Sequence, residues 1–586
     1  MKDAGIEAKR DSSGFADPVS LVASLGGYEA LIQATLAEAD KAKVIDRIWN
    51  KDASLWKTEE AHQKIISNAL GWLTVPGKML DVAGELASFA RSVRESGQFQ
   101  HAIVCGMGGS SLCPEVLRQT FGRAEGFPEL LVLDSTDPDA VNNLAKQIDV
   151  SRCLFIIASK SGTTTEPNVF HKYWYSEVAK KSVKPGKAFI AITDPGTKMA
   201  QIATEEEFKR IFLNPADIGG RYSALSYFGM VPAALMGLDI ERLLGSARMM
   251  SESCGARVAI KDNPAAFLGA IMAECALTGR DKLTIVADQT LSTLGLWIEQ
   301  LIAESTGKEG KGIVPIVGEP LGPVSAYGDD RLFVSIAVGT IDAATQSQLT
   351  ALELAGHPVC HRLLADVYDL GAEFFLWEMA TAFAGWRLGI DPFDQPNVQE
   401  SKDATKALLE RFAKEGKLQE QPALVSDGTL TIYADDENGA GPVSTSVVDV
   451  LRQRIAMTNP GDYIALLAYV EETPEIETAL QAIRTTLRDA TGCATTMGYG
   501  PRFLHSTGQL HKGGPDSGVF IQITAPDKID LEVPGEPYTF SILKQAQAQG
   551  DFQSLLSHGR RAIRVDLGSD VVAGLRRFRE VINDAN

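Results

Sequence analysis

The chain has 586 residues, 45% hydrophobic and 22% charged, with a net charge of -19 and a sequence pI near 5.0. At roughly 150 residues per domain that length suggests three or four units, each able to bury a core. The negative charge argues against bulk electrostatic binding to nucleic acid or to an anionic membrane surface. A small anionic substrate would need locally placed Lys, Arg and backbone N–H groups.

The seven cysteines are scattered and show no metal-type spacing, so reduced thiols are expected. The N-terminus lacks the apolar core of a signal peptide, and no run reaches the roughly 18 apolar residues of a membrane span. A cytoplasmic protein is expected.

The first hundred residues read as helical, with apolar residues at helical spacing in Ala37–Val44 and from Glu59 to Leu73. The pattern then changes. Short buried-strand signals at Ala102–Cys105, Leu130–Leu133, Leu154–Ile157 and Ala188–Ile192 alternate with helical stretches, including Pro138 to Gln147. This predicts an α/β fold with a parallel sheet covered on both faces. A second α/β set starts near residue 246, with strands at Leu283–Val286, Gly312–Val317 and Leu332–Ile336. A long helix is expected from about Leu363 to Leu388. The polar stretch Lys414–Pro422 reads as a linker. Beyond it lies a third α/β region, with strands near Leu430, Tyr463, Val519 and Ile563. The division expected is 1–55, 56–245, 246–415 and 416–586.

Five segments carry candidate chemistry. Gly106-Met-Gly-Gly-Ser-Ser111 sits at a strand-to-helix turn, where glycines admit a ligand to the backbone; a tight turn without ligand explains it equally well. Ser159-Lys160-Ser161-Gly162-Thr163-Thr164 also follows a buried strand. Hydroxyls and backbone N–H groups there can surround a phosphate, and a Ser/Thr-rich cap is the alternative. Asp217-Ile-Gly-Gly-Arg-Tyr-Ser places Arg221 after paired glycines, as an oxyanion donor or as a structural arginine. Gln300 and Glu304 project from one face of a helix running to Gly307. Glu304 stands near its C-terminus, where the backbone dipole disfavours a charged carboxylate; a solvated Glu fits the sequence as well. Asp394-Gln-Pro-Asn-Val-Gln-Glu-Ser-Lys402 is a polar turn entering another helix, with Lys402 readable as a surface lysine.

Together and in this order, these segments resemble the glucose-6-phosphate isomerase family. DIGGRYSALSYFGM and PFDQPNVQESK resemble its two signature segments, with Asn397 where the family more often has Gly. GMGGSSL, ASKSGTTTEP and AESTGK fit its other site segments. The C-terminal region and VPIVGEPLG are similar to the isomerase half of bacterial bifunctional transaldolase/glucose-6-phosphate isomerases. About a hundred residues precede the first motif, too few for a transaldolase barrel, so isomerase activity alone is expected.

The resemblance implies two doubly wound sugar-isomerase (SIS) domains and a reversible aldose–ketose isomerisation of a hexose 6-phosphate. Ser159, Lys160, Ser161, Thr163 and Thr164 would hold the phosphate. Gly108, Gly109 and Ser110 would border the sugar, and Gln300 and Gln395 would contact it. Arg221 would stabilise the enediolate, Glu304 would move the proton between C2 and C1, and Lys402 would act at the ring oxygen. No cofactor or metal is implied, because hydrogen moves as a proton. A homodimer would be in keeping with the family.

One departure concerns ring opening. The family uses a histidine from a Gly-Gln-His segment after the glutamate motif, usually given by a neighbouring subunit. Here GEPLGPVSAYGDD contains no His. The C-terminal Leu504-His-Ser-Thr-Gly-Gln-Leu-His-Lys-Gly-Gly514 loosely resembles that segment, so His505 or His511 is expected to replace it; a polar loop with two surface histidines is the alternative. Rival readings are a non-catalytic phosphosugar sensor and an isomerase that also accepts mannose 6-phosphate.

Overall fold

Continuous apolar runs set the architecture. Cys153–Ala158 is buried along its whole length, as a parallel strand covered on both faces must be. In the computed structural model, which describes residues 21–418, 421–434 and 446–585, it is the central strand of an all-parallel sheet. The order is Glu129–Leu133, His101–Cys105, Cys153–Ala158, Phe189–Thr193, Arg210–Leu213. The second sheet runs Leu21–Ser24, Val359–Leu364, Arg331–Val338, Lys282–Ala287, Val314–Val317. The third runs Val425–Ser426, Thr431–Tyr433, Arg561–Asp566, Gly518–Thr524, Tyr463–Tyr469, Ala494–Tyr499. Its last four strands are parallel and its first two antiparallel. Read along the chain, the parallel strands lie second-first-third-fourth, a doubly wound order.

Two expectations are corrected. The N-terminal segment is not wholly helical: Leu21–Ser24 pairs antiparallel with Val359–Leu364 at the edge of the second sheet. Residues 1–20 of that segment, and Gln419 and Glu420 of the expected linker, lie outside the described residues. The long helix spans Leu370–Leu388, not Leu363 onward, because Val359–Leu364 is a strand. That strand carries His361 and Arg362, whose polar atoms are satisfied inside. His361 bonds Ser335 and Glu353 at 2.8 Å each, and Arg362 Nε donates to Glu373 at 3.1 Å. The helix Leu370–Leu388 is apolar almost all round, so it must be enclosed. It packs against Ile240–Ser253 and Pro264–Leu277.

The carboxyl end of the first sheet meets the third unit through polar pairs. Arg502 holds Asp134 with two bonds of 2.9 Å, Lys544 donates to Asp137 at 2.8 Å, and Thr136 donates to Gln547 at 2.7 Å. These groups are buried or nearly so, and removing one partner of either ion pair, Arg502–Asp134 or Lys544–Asp137, costs about 3–5 kcal/mol. The third unit is thereby keyed to one position over the first sheet. Among the described residues, no helix is long and apolar enough to cross a membrane.

Candidate active site

The loop Ser159–Thr164 leaves the end of the central strand and enters the helix Thr165–Ala179. No side chain caps that helix start, so its first N–H groups are available to an anion. Ser161 and Thr163 pair their hydroxyls at 2.9 Å, and both are exposed. Lys160 can serve a phosphate here through its backbone and not its ammonium. Its ammonium is bound to Asp194 at 2.6 Å and to the Ala216 carbonyl at 3.2 Å, and its carbonyl accepts from the Asp194 N–H and Thr193 Oγ1, so its backbone N–H is what remains to serve the loop. Ser159 is buried and its hydroxyl has no partner among the described residues.

A second cluster lies where three segments converge. Arg221 is buried and fully engaged. Nε donates to Ser305 at 2.7 Å, Nη1 to Gln395 at 2.9 Å, and Nη2 to the carbonyls of Pro392 at 2.7 Å and Asp394 at 2.9 Å. Its Nη1 also stands 3.3 Å from Glu304 Oε1. Gln300 donates to the other oxygen of Glu304 at 3.1 Å, as the i,i+4 spacing on Leu294–Thr306 predicts. Behind Asp394, Lys308 donates to it at 2.6 Å; burial and the neighbouring Arg221 pull that ammonium down to about 8.

The glycines act by close approach. Gly109 lies against the backbone of Gly220, whose oxygen would be 2.0 Å from an added Cβ. Gly108 has φ +56, and a Cβ there would reach 2.8 Å from Gln300 Nε2 and 2.9 Å from the His505 carbonyl. Only glycine lets these segments meet. Ser110 stands half-buried in the same turn.

The two C-terminal histidines part company. His505 ends the turn Arg502–His505, and its carbonyl accepts from Gln300 at 2.8 Å. Its Nε2 faces Glu166 Oε1 at 3.2 Å. His511 is corrected. It is buried on the short helix Gly508–Gly513 with its ring 5.0 Å from Phe520 and 6.1 Å from Phe503, and neither ring nitrogen has a partner among the described residues. Burial, with Lys512 and Arg560 nearby, pushes its pKa well down. A neutral ring enclosed by aromatics has no route to a sugar. A His511→Phe variant should therefore keep kcat within a factor of about 2 in the fraction that folds, although the larger ring in this packed site lowers stability; steady-state kinetics and thermal unfolding check this.

Sequence reasoning missed Glu166 and Gln547. Glu166 is buried, and Gln547 from the helix Phe540–Ser557 donates to it at 2.7 Å. Burial works to raise the carboxyl of Glu166, but the charge and hydrogen bond of His505, with Lys402, hold it below the usual value. Gln547 had no readable signal, since its partner is 381 residues away. A cleft of about 420 Å³ brings Thr163, Thr164, Glu166, Lys402, His505 and Gln547 to one surface.

His62, Asp391 and Asp394 could form a metal-ligand set by spacing. Lys308 already supplies a cation to Asp394 there. Beside His505, Ser506 donates to buried Glu299 at 3.2 Å, and burial pushes the Glu299 carboxyl up to about 7 from 4.5. The folded state thus keeps a proton that the unfolded chain loses. Stability falls as pH rises from 4.5 to about 7, and the full cost is present above. Glu299→Gln should raise stability at about pH 8 by on the order of 3 kcal/mol and change it little at about pH 4; thermal unfolding at both pH values checks this.

Comparison with known proteins places the sequence and fold among sugar-phosphate isomerases. The sequence profile of phosphoglucose isomerase matches residues 73–323. A glucose-6-phosphate isomerase of Carboxydothermus hydrogenoformans is 30% identical over 413 residues, covering 60% of this chain and 87% of that protein. One from Cyanothece sp. is 31% identical over 443 residues, covering 65% and 78%. Among solved structures, a glucose-6-phosphate isomerase of Chlamydia trachomatis shares the fold at TM-score 0.53 and 18% identity, covering 66% of this chain and 87% of that one.

Proposed function

The chain belongs to the phosphoglucose isomerase family, and on that premise we propose that it interconverts glucose 6-phosphate and fructose 6-phosphate through a cis-enediolate, with Glu304 as the base. This is an isomerase step of glycolysis and gluconeogenesis. The observation that carries the reading is the buried contact of Glu304 with Arg221 and Gln300. A proton beside a carbonyl is weakly acidic. Its removal needs a base at the carbon and a donor at the oxygen; Glu304 is the base, and the Arg221 Nη1 that faces it at 3.3 Å would hand that contact over to the substrate oxygen. A positioned base contributes roughly two to four powers of ten, and one preorganised donor about 3 kcal/mol. The phosphate does not react. Its binding to the Ser161–Thr164 loop and to the free N–H groups of the following helix supplies the energy that holds C1 and C2 at Glu304.

His505 is assigned to ring opening, exchanging a proton at the ring oxygen or the C1 hydroxyl, with Lys402 on the same cleft. Glu166 accepts from His505 and fixes its orientation, and Gln547, itself held by Thr136, fixes Glu166. His505→Ala should lower turnover of the cyclic substrate by about 100-fold or more and leave an open-chain hexose phosphate analogue turned over near the wild-type rate. Equal losses on both substrates would remove His505 from ring opening.

This histidine comes from the same chain as Glu304. A single chain therefore carries the whole set, and specific activity should not fall on dilution; activity measured against enzyme concentration, alongside light scattering, checks this. A coupled assay for fructose 6-phosphate tests the function itself. Ligand binding without turnover would favour a phosphosugar sensor.

A further inference from the structure

Arg564 lies in the strand Arg561–Asp566, in register with Tyr433 of the neighbouring strand. It is 8% exposed. Its guanidinium rests 4.3 Å from the centre of the Tyr433 ring and 5.6 Å from that of Phe552. Among the described residues it makes no hydrogen bond and no ion pair. Asp566, whose charge acts on Arg564, spends its hydrogen bonds on other groups: it accepts from Thr524 Oγ1 at 3.0 Å and from the Gly568 N–H at 3.0 Å. Burial depresses the pKa of Arg564, outweighing the opposing charges of Tyr433 and Asp566. An apolar side chain would avoid that cost here, beside the Phe552 ring and Ala548.

The guanidinium borders an open cavity of about 410 Å³ that Thr524, Gln545, Gln549 and Asp566 also line. Thr524 and Asp566 end two parallel strands of the third sheet. The carboxyl ends of parallel strands are where open α/β sheets bind ligands. The amides of Gln545 and Gln549 make no hydrogen bond among the described residues and are free to meet hydroxyls.

We propose that this cavity is a second ligand site, separate from the isomerase centre, for a small polyhydroxylated metabolite whose carboxylate or phosphate pairs with Arg564. The fork of the guanidinium suits either oxyanion. Asp566 and the two glutamines take the hydroxyl groups. One wall of the cavity is the helix Phe540–Ser557, whose inner face delivers Gln547 to Glu166. An occupant therefore touches the helix that supports His505.

The test uses the full-length protein and two probes, D-gluconate for the carboxylate and glycerol 3-phosphate for the phosphate, each titrated by calorimetry. At least one should bind wild type, and Arg564→Gln should weaken it by about tenfold or more, the loss of a charge-assisted pair. Thermal unfolding without ligand checks that Arg564→Gln is folded. Gln549→Glu, which puts a like charge on the cavity wall at a half-buried position, should weaken the same probe and serves where Arg564→Gln does not fold. Thr164→Val, in the phosphate loop, should leave this binding unchanged. The probe that responds identifies the oxyanion. Binding that survives both cavity variants but is lost in Thr164→Val belongs to the isomerase centre and overturns the proposal, as does the absence of any Arg564-dependent binding at millimolar concentrations.

Discussion

Glu304→Gln should lower kcat for glucose 6-phosphate by about three powers of ten while KM changes only severalfold, because a carboxamide keeps the shape of the base and cannot take the proton. The side chain remains on the face of Leu294–Thr306 that meets Arg221, but its one acceptor oxygen cannot serve both Gln300 and Arg221, so some stability is lost as well and kcat is read in the fraction that folds. A purely structural Glu304 would show the opposite pattern, a fall in stability with little change in kcat in the fraction that folds. Unfolding midpoints measured beside kcat separate the two.

Arg221→Lys should cost about 3 kcal/mol of transition-state stabilisation, roughly a hundredfold in kcat/KM, although the charge is kept. The reason is geometric. The guanidinium reaches Ser305, Gln395, the carbonyls of Pro392 and Asp394, and Glu304 at once. A lysine has three donors on one atom and cannot span those acceptors. The Pro392 carbonyl, left unpaired in a buried site, adds a stability loss of about 1–3 kcal/mol, while the Asp394 carbonyl keeps its bond of 2.6 Å from Lys308. Kinetics of Arg221→Lys and of Ser305→Ala, which removes one anchor only, would show a graded response. Equal activity of Arg221→Lys and wild type would strip Arg221 of its proposed role.

Much of this site was legible because its parts are local. A strand followed by Ser-Lys-Ser-Gly-Thr-Thr marks an anion loop wherever it occurs, and Gln300 and Glu304 share a helix face by spacing alone. What stayed hidden depends on long-range contacts. Glu166 reads as an acidic residue in the first turn of a helix, and only the fold brings His505 to it from 339 positions away. Lys160 looks like a phosphate ligand until Asp194, on the next strand's exit, captures its ammonium. His505 and His511 are indistinguishable as types six residues apart; the short helix Gly508–Gly513 turns one into the aromatic core and leaves the other at the cleft. In the fold, long apolar strands such as Leu154–Ile157 were readable. Arg210–Leu213, a short edge strand opening on a charge, and Val359–Leu364, carrying His361 and Arg362, were not, since their polar residues find partners only in three dimensions.

Conversion of fructose 6-phosphate in heavy water tests the central claim most directly. A base that carries the proton between C1 and C2 exchanges part of it with solvent, so wild type should yield glucose 6-phosphate with deuterium at C2, and Glu304→Gln should yield neither product nor label at a comparable rate. Product formed without deuterium at C2, or label and turnover undiminished in Glu304→Gln, would contradict proton transfer by this carboxylate.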